Sequence, residues 1–327
     1  MSLYEKKDLP VFETRSRWRN LLSTHYGMGE SDILFFQSLE SIIGIPKYKV
    51  LVEANLSLPS DQFEKMERVL ERLVLGEPIQ YIFKEAYFRN RPYLVNPNVL
   101  IPRPETEELV SWILEDIAHE KAIESKNSSM VEPRILDIGT GTGCIPISLY
   151  LEKGSNLIYG LDISLEALKV AWENTKKMNA NISLMLGDIL QPENPFQTFS
   201  GEEGNPFFVE GFSQTIPEVF DILVSNPPYI PLKEKNTMEY RVKNQEPSLA
   251  LFVPDQNPLQ FYEAILKFAE KHLSRQGQIY FEINESYSLE IKELANKFGH
   301  FDVELRLDFN GKPRMVRLKR GVFSGEK

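Results

Sequence analysis

Arg134-Ile135-Leu136-Asp137-Ile138-Gly139-Thr140-Gly141-Thr142-Gly143-Cys144 decides the fold. The apolar run Arg134–Ile138 predicts a strand. The three glycines predict a tight turn whose backbone a ligand can approach closely, and Cys144–Leu151 predicts a helix. Leu157–Leu161 reads as the next strand, and Asp162 ends it about 20 residues after the turn, where an acidic residue can accept hydrogen bonds from a ribose. Two cofactors share this outline. A nicotinamide dinucleotide fingerprint needs a third glycine three residues after the second, and that position is Cys144. Asp137, just ahead of the glycines, would repel a pyrophosphate but suits the cationic methionyl end of S-adenosylmethionine.

On the C-terminal side, strands and helices alternate. Ser164 caps a helix running to about Met178; Ile182–Leu186, Ile222–Ser225 and Gln278–Ile283 are strands, the last preceded by the helix Pro258–Leu273. Such alternation implies a parallel sheet with helices on both faces. Val303–Leu307 and Met315–Leu318 flank Asn310-Gly311, a hairpin signal, so the sheet is expected to end in an antiparallel pair.

On the N-terminal side, residues 86–104 carry Tyr87, Phe88, Tyr93, Leu94 and Val95, with Arg91-Pro92 and Asn96-Pro97 as turns: a linking hairpin. Glu105–Ile117 is a helix and Lys121–Glu132 a polar loop. Residues from about 10 to 80 read as helical. In Ser60–Leu75, Phe63, Met66, Leu70 and Leu73 form one stripe, with Ser60 as N-cap and Gly76 as stop. Trp18–Leu22, Ile33–Leu39 and Val50–Leu56 are too short to stand alone and must pack together. The expected division is a helical substrate-recognition domain over 1–82, a hairpin linker over 83–104 and a catalytic domain over 105–327.

Composition narrows the function. Of 327 residues, 42% are hydrophobic and 26% charged, as in an ordinary globular chain. A net charge of −10 disfavours binding that rests on phosphate neutralisation. The single cysteine, Cys144, allows no internal disulfide, is a packing residue rather than a nucleophile, and makes a cysteine-based metal site unexpected. Met1–Pro10 has no apolar core of a secretory signal, and no stretch of about 18 apolar residues is free of charge. The expectation is a soluble, cytoplasmic protein. Gln191–Val219 holds five glutamates, five phenylalanines and no Lys or Arg, and reads as a mobile surface insertion, with partner contact as the weaker option. From Arg306 to Lys327 there are seven basic and two acidic residues, read as a solvated strand face, with contact to RNA or an acidic partner as the weaker option.

Asn226-Pro227-Pro228-Tyr229 follows the strand Ile222–Ser225 and so faces the same crevice as the glycines. Methyl transfer to a planar nitrogen needs help, because its lone pair is delocalised. The Asn226 side-chain oxygen and the Pro227 carbonyl can each accept an N–H and polarise that nitrogen, and Tyr229 offers a stacking face. Catalysis is then positioning plus electrostatics, without metal or covalent nucleophile. Such motifs serve enzymes that methylate adenine in nucleic acid and others that methylate glutamine. A non-catalytic binding module is the third reading, and the intact tetrapeptide weighs against it.

Several further segments carry a resemblance. Gly76-Glu77-Pro78-Ile79-Gln80-Tyr81, Leu100-Ile101-Pro102-Arg103-Pro104-Glu105-Thr106-Glu107, Ile135 to Gly143, Asp162, Asp188, Asn226 to Ile230, Glu246-Pro247 and Asp308 through Arg314 occur in one order. From about residue 70 onward the chain resembles the bacterial release factor glutamine methyltransferases, the PrmC/HemK family. The resemblance implies a seven-stranded Rossmann-like α/β methyltransferase sheet with an antiparallel C-terminal hairpin, preceded by a small helical domain. It implies that Gly139, Thr140, Gly141, Thr142, Gly143, Asp162 and Asn226 bind S-adenosylmethionine. Asp188 and Ile189 would contact the adenine, Ile189 standing where some members carry an aromatic. Asn226, Pro227, Pro228 and Tyr229 would hold a substrate glutamine, with Arg103 and Glu105 lining the cleft. The implied partner is a class I peptide release factor, methylated on the glutamine of its Gly-Gly-Gln motif.

Overall fold

The computed structural model describes residues 9–53, 56–124, 132–153, 157–193, 195–196, 217–238, 240–299 and 301–321. They form two compact units. One comprises the described residues up to Glu85 together with Tyr240–Gln245, and the other comprises the rest.

In the first unit, β1 (Leu9–Pro10) leads into α1 (Val11–Ile43), followed by α2 (Lys47–Val52), β2 (Ser57–Leu58), α3 (Ser60–Val74) and α4 (Ile79–Phe83). The expected segments Trp18–Leu22 and Ile33–Leu39 both lie in α1, which bends where Gly27 leaves helical geometry at φ 72°, ψ 164°, a conformation open to glycine. The expected helix Val50–Leu56 stands instead at Lys47–Val52, its end cut short because Glu53 is already non-helical. Ser60 is the first helical residue of α3 rather than its cap. Pro59 takes the cap position, and its carbonyl accepts from the backbone N–H groups of Gln62 and Phe63. Met66, Leu70 and Leu73 are buried with Trp18, Leu22, Phe35 and Leu39.

A hairpin follows, β3 (Glu85–Phe88) and β4 (Arg91–Leu94), all but Glu85 in the second unit. Its turn is Arg89-Asn90, both left-handed at φ 48° and 59°, as a two-residue hairpin loop requires. Arg91-Pro92, expected to turn, lies in β4. The turn is held by side chains: the Arg89 backbone N–H donates to Glu107 (2.8 Å) and its guanidinium to Glu152 (2.6 and 2.7 Å). Next comes α5 (Pro104–Glu124), running past Lys121 into the expected polar loop.

The sheet is then laid down as β5 (Ile135–Ile138), α6 (Cys144–Lys153), β6 (Ile158–Asp162), α7 (Leu165–Lys177), β7 (Ser183–Leu186) and β8 (Phe220–Ser225). Ser164 caps α7, its Oγ accepting from the Ala167 N–H at 3.2 Å. Short pieces follow: β9 (Ile230–Pro231), α8 (Tyr240–Gln245), α9 (Ser248–Leu251) and β10 (Phe252–Val253). Then come α10 (Gln260–His272), β11 (Leu273–Glu282), α11 (Ser288–Lys297), β12 (Phe301–Leu307) and β13 (Pro313–Arg320). Strand order is β12-β13-β11-β8-β5-β6-β7. Strands β7, β6, β5, β8 and β11 run parallel, and β13 is antiparallel to both β11 and β12. Alternating side chains feed two cores. Ile222, Val224 and Tyr280 pack with Trp112, Ile147 and Leu168 on one face, and Leu223, Ile279 and Phe281 pack with Ile265, Phe268 and Ile291 on the other.

The Asn310-Gly311 hairpin is not a two-residue turn. Leu307 pairs with Pro313, so residues 308–312 form the loop, and among them only Gly311 has positive φ. The Asp308 carboxylate shapes it by accepting from the N–H groups of Asn310 (2.9 Å) and Lys312 (3.0 Å). Of the expected insertion, residues 194 and 197–216 lie outside the described residues. Phe196 packs on the second core, 5.9 Å edge-on from Phe268, rather than standing on the surface.

Candidate active site

Strands β5 and β8 are neighbours, and the connections leave them in opposite directions, opening a crevice at their carboxyl ends. A cavity of about 290 Å³ lies there. Gly139–Thr142 after β5, Asp162 at the end of β6, Asp188 and Ile189 after β7 and Asn226–Pro228 after β8 all line it, as do Arg103 and Thr106. Gly143, Glu105 and Tyr229 are not among its lining residues.

On one wall the glycine turn is set by backbone conformation. Gly139, Gly141 and Gly143 have φ of 78°, 52° and 76°. A Cβ at Gly139 or Gly141 would meet no described atom within 4 Å, whereas one at Gly143 would come 3.1 Å from Ile147 Cδ1 and 3.3 Å from Ala171 Cβ. The first two leave the turn open to a ligand, and the third lets α6 pack closely on α7. The Gly141 and Ser164 N–H groups donate to opposite oxygens of Asp162, each at 2.9 Å. Burial raises the Asp162 pKa against these bonds. Buried Asn174 on α7 donates to the Thr142 carbonyl (2.9 Å) and also bonds both backbone groups of Leu94. Thr140 donates to Asp137 Oδ2 at 2.7 Å. Asp137 Oδ1 is buried without a hydrogen-bond partner among the described residues, and burial pushes this carboxyl up to about 7.

These residues fit S-adenosylmethionine. Asp162 keeps acceptor capacity beyond its backbone bonds, as a ribose diol needs. Asp137 offers an unpaired acceptor one hydroxyl behind the turn, and Ile163, Ile189 and Leu190 give an apolar wall. Burial pushes the Cys144 thiol up to about 12, which disfavours the thiolate a nucleophile needs.

The other wall is set by side chains. The Asn226 Nδ2 donates to Thr106 Oγ1 at 3.1 Å, and the Thr106 hydroxyl donates to Glu282 Oε2 at 2.6 Å. The Tyr229 hydroxyl donates to Glu282 Oε1 at 3.2 Å, and Tyr262 donates to the Glu282 carbonyl at 3.0 Å. Ser225 Oγ, donating to the Ile138 carbonyl at 2.6 Å, ties the end of β8 to that of β5. Tyr229, expected as a stacking face, packs against the second core with its hydroxyl engaged. Arg103 pairs with buried Glu246 at 2.5 Å, not with Glu105, and Glu246 also accepts from the Ile101 N–H. Thr106 and Ser225 line the cavity, and Asn174 and Glu282 bond residues that line it, although sequence reasoning does not single them out. A carboxylate ending the apolar strand Ile279–Glu282 is the one signal for the last.

Family models described as a methyltransferase domain and a PrmC N-terminal domain match residues 131–301 and 14–83. A release factor glutamine methyltransferase of Flavobacterium psychrophilum is 35% identical over 93% of this chain and 97% of its own length. The chain belongs to the release factor glutamine methyltransferase family. Another relative of that name, from Bacteroides thetaiotaomicron, is 34% identical over 85% of this chain and 89% of its own. A solved methyltransferase of Pyrococcus furiosus is 17% identical, covers 78% of this chain and 100% of its own, and has a TM-score of 0.42. As a member of this family the protein is an S-adenosylmethionine-dependent methyltransferase. Among the described residues no helix is long and apolar enough to cross a membrane.

Proposed function

We propose that the protein transfers the methyl group of S-adenosylmethionine to the side-chain amide nitrogen of the glutamine in the Gly-Gly-Gln motif of class I peptide chain release factors, serving translation termination in the cytoplasm. The observation that carries this is the Asn226 amide. Its Nδ2 is engaged by Thr106, which leaves Oδ1 as the acceptor for a substrate N–H.

Bound S-adenosylmethionine would supply an electrophilic methyl on a sulfonium sulfur; the methyl–sulfur bond breaks as the nitrogen–methyl bond forms, leaving S-adenosylhomocysteine, and one amide proton is released. Asp162 holds its ribose, Asp188 and Ile189 its adenine, and Gly139–Thr142, backed by Asp137, its methionyl end. Asn226 Oδ1 and the Pro227 carbonyl each accept one N–H of the glutamine amide, fixing the nitrogen and raising its electron density. Pro227 and Pro228 have no N–H to compete. Tyr229 holds the motif in place through Glu282, and Arg103 borders the acceptor side, with Glu105 two residues on. Positioning and electrostatics suffice, so we assign no metal.

A protein rather than a nucleic acid as substrate is supported by the charge of −10. It is also supported by the pairing of the C-terminal basic residues: Arg317 with Asp116 at 2.7 Å, Lys319 with Glu120 at 3.1 Å and Arg306 with Glu115 at 2.8 Å. Tritiated donor incubated with release factor, DNA and RNA should label only the release factor; label in nucleic acid would overturn the reading. We assign residues 1–82 to release factor recognition, 83–104 to the linker and 105–327 to catalysis. Exposed Tyr48, Leu51 and Val52 on α2 give the first part an apolar surface. Leu51→Glu with Val52→Glu should raise the KM for release factor and leave S-adenosylmethionine affinity unchanged.

A further inference from the structure

We infer that Glu282 is a positioning residue for methyl transfer: acting through the Thr106 hydroxyl, its carboxylate sets which edge of the Asn226 amide is presented to the cleft. This rests on the role assigned above to Asn226.

The direction of each hydrogen bond follows from what each group can donate. An ionised carboxylate only accepts. Buried Glu282 accepts from Thr106 at 2.6 Å and from Tyr229 at 3.2 Å, one bond on each oxygen. Thr106 has a single hydroxyl hydrogen, and Glu282 takes it. The Thr106 oxygen can then only accept, so the end of Asn226 that meets it must be Nδ2. The acceptor Oδ1 is thereby left for the substrate.

The two ends of an asparagine amide have nearly the same shape, so packing alone barely distinguishes them. A donor at position 282 would let the chain of bonds reverse. The side chain at 282 would donate to Thr106, Thr106 would donate to Asn226 Oδ1, and Nδ2 would then face the substrate N–H, donor against donor. The carboxylate therefore acts on the reacting amide from two hydrogen bonds away, without lining the cavity.

The groups around Glu282 come from several elements. Tyr229 follows β8, Tyr262 on α10 donates to the Glu282 backbone carbonyl, Thr106 and Glu105 stand at the start of α5, and Arg314 on β13 holds Asp308 at 3.4 Å. Burial raises the Glu282 pKa and the Glu105 charge adds to it, while the Thr106 and Tyr229 bonds and the Arg314 charge oppose it. Glu282 should thus take up a proton at a higher pH than an exposed glutamate, and activity should fall on the acid side as it does.

The test uses the full-length protein, a class I release factor and S-adenosylmethionine, with Glu282→Gln, Thr106→Val, Thr106→Ser and Asn226→Ala. Single-turnover rate, KM for release factor, S-adenosylmethionine Kd by calorimetry and Tm are read for each. Glu282→Gln and Thr106→Val should each slow the single-turnover rate by about 10- to 100-fold, less than removal of the preorganised acceptor itself. The S-adenosylmethionine Kd should stay within about twofold, because the cofactor wall is untouched, and KM for release factor should change less than the rate. Thr106→Ser, which keeps the hydroxyl, should recover most of the rate. The acid limb of the pH–rate profile should flatten in Glu282→Gln. A wild-type rate in Glu282→Gln or Thr106→Val alongside a slow Asn226→Ala would overturn the inference while leaving the site reading intact. A wild-type rate in Asn226→Ala would instead overturn the site reading. If Glu282→Gln does not fold, Thr106→Val decides alone, and a parallel loss of rate, Kd and Tm there would assign the chain of bonds to structure only.

Discussion

The glycine turn and the Asn226 turn face each other across one cleft, yet they are built from different materials. Gly139–Gly143 takes its shape from positive φ values, a bond to Asp162 21 residues on and a clamp from Asn174 32 residues on. Asn226 takes its orientation from Thr106, 120 residues away, and Thr106 from Glu282, 176 residues away. A wall made of local backbone offers open space and fixed dipoles, suited to holding a cofactor. A wall made of a side-chain relay presents one edge of one amide, suited to acting on a reacting atom. Changes to the first should therefore show in affinity or stability, and changes to the second in rate.

The largest effect should come from the acceptor wall. Asn226→Ala should slow single-turnover methylation about 10²–10³-fold, or roughly 2.7–4 kcal/mol, as for losing one preorganised transition-state hydrogen bond. S-adenosylmethionine affinity should change far less. Asn226→Asp should also be slow, because its negative charge favours the cationic ground state. Equal losses of rate and affinity would erase the contrast between the walls.

Next in size is the cofactor wall. Asp162→Ala removes acceptors for the ribose and for Gly141, each bond to a charged group being worth about 1.5–3 kcal/mol. Calorimetry should find S-adenosylmethionine affinity down about ten- to a hundredfold, with the rate at saturating cofactor nearly kept. A normal Kd would move the ribose elsewhere.

Smaller still is Gly143→Ala, which sharpens the division within the turn itself. Its Cβ would press on Ile147 and Ala171 at a φ of +76°. Thermal or urea unfolding should show a loss of about 1–3 kcal/mol. Lys319→Ala, on an exposed pair with Glu120 remote from both walls, should cost under about 1 kcal/mol and leave methylation untouched.

The same contrast divides what is legible in the sequence from what is not. Ser164 as the cap of α7, the glycine turn, Asp162 at a strand end and the Asn226 motif after β8 are local patterns, and each stands where its residues imply. Glu282 reads as the last residue of an apolar strand, and only the folded sheet shows that it meets Thr106. Asn174 looks like a surface polar residue of an amphipathic helix but is buried against Thr142 and Leu94. Arg89-Asn90 lacks the glycine that marks such a turn, because Glu107 and Glu152 supply by long-range bonds what local preference does not. Tyr240–Gln245 joins the first compact unit through Arg241, which pairs with Glu30 at 2.6 Å and lies 4.2 Å over Tyr26. That contact spans 211 residues and leaves no local trace.

If the two walls meet at a glutamine amide of a release factor, mass spectrometry of a class I release factor incubated with the full-length protein and S-adenosylmethionine shows it most directly. The expected result is one added methyl on the peptide carrying Gly-Gly-Gln, located on the glutamine side chain and absent when Asn226→Ala is used over the same interval. An unmodified Gly-Gly-Gln peptide, or a methyl placed on another residue, would contradict it.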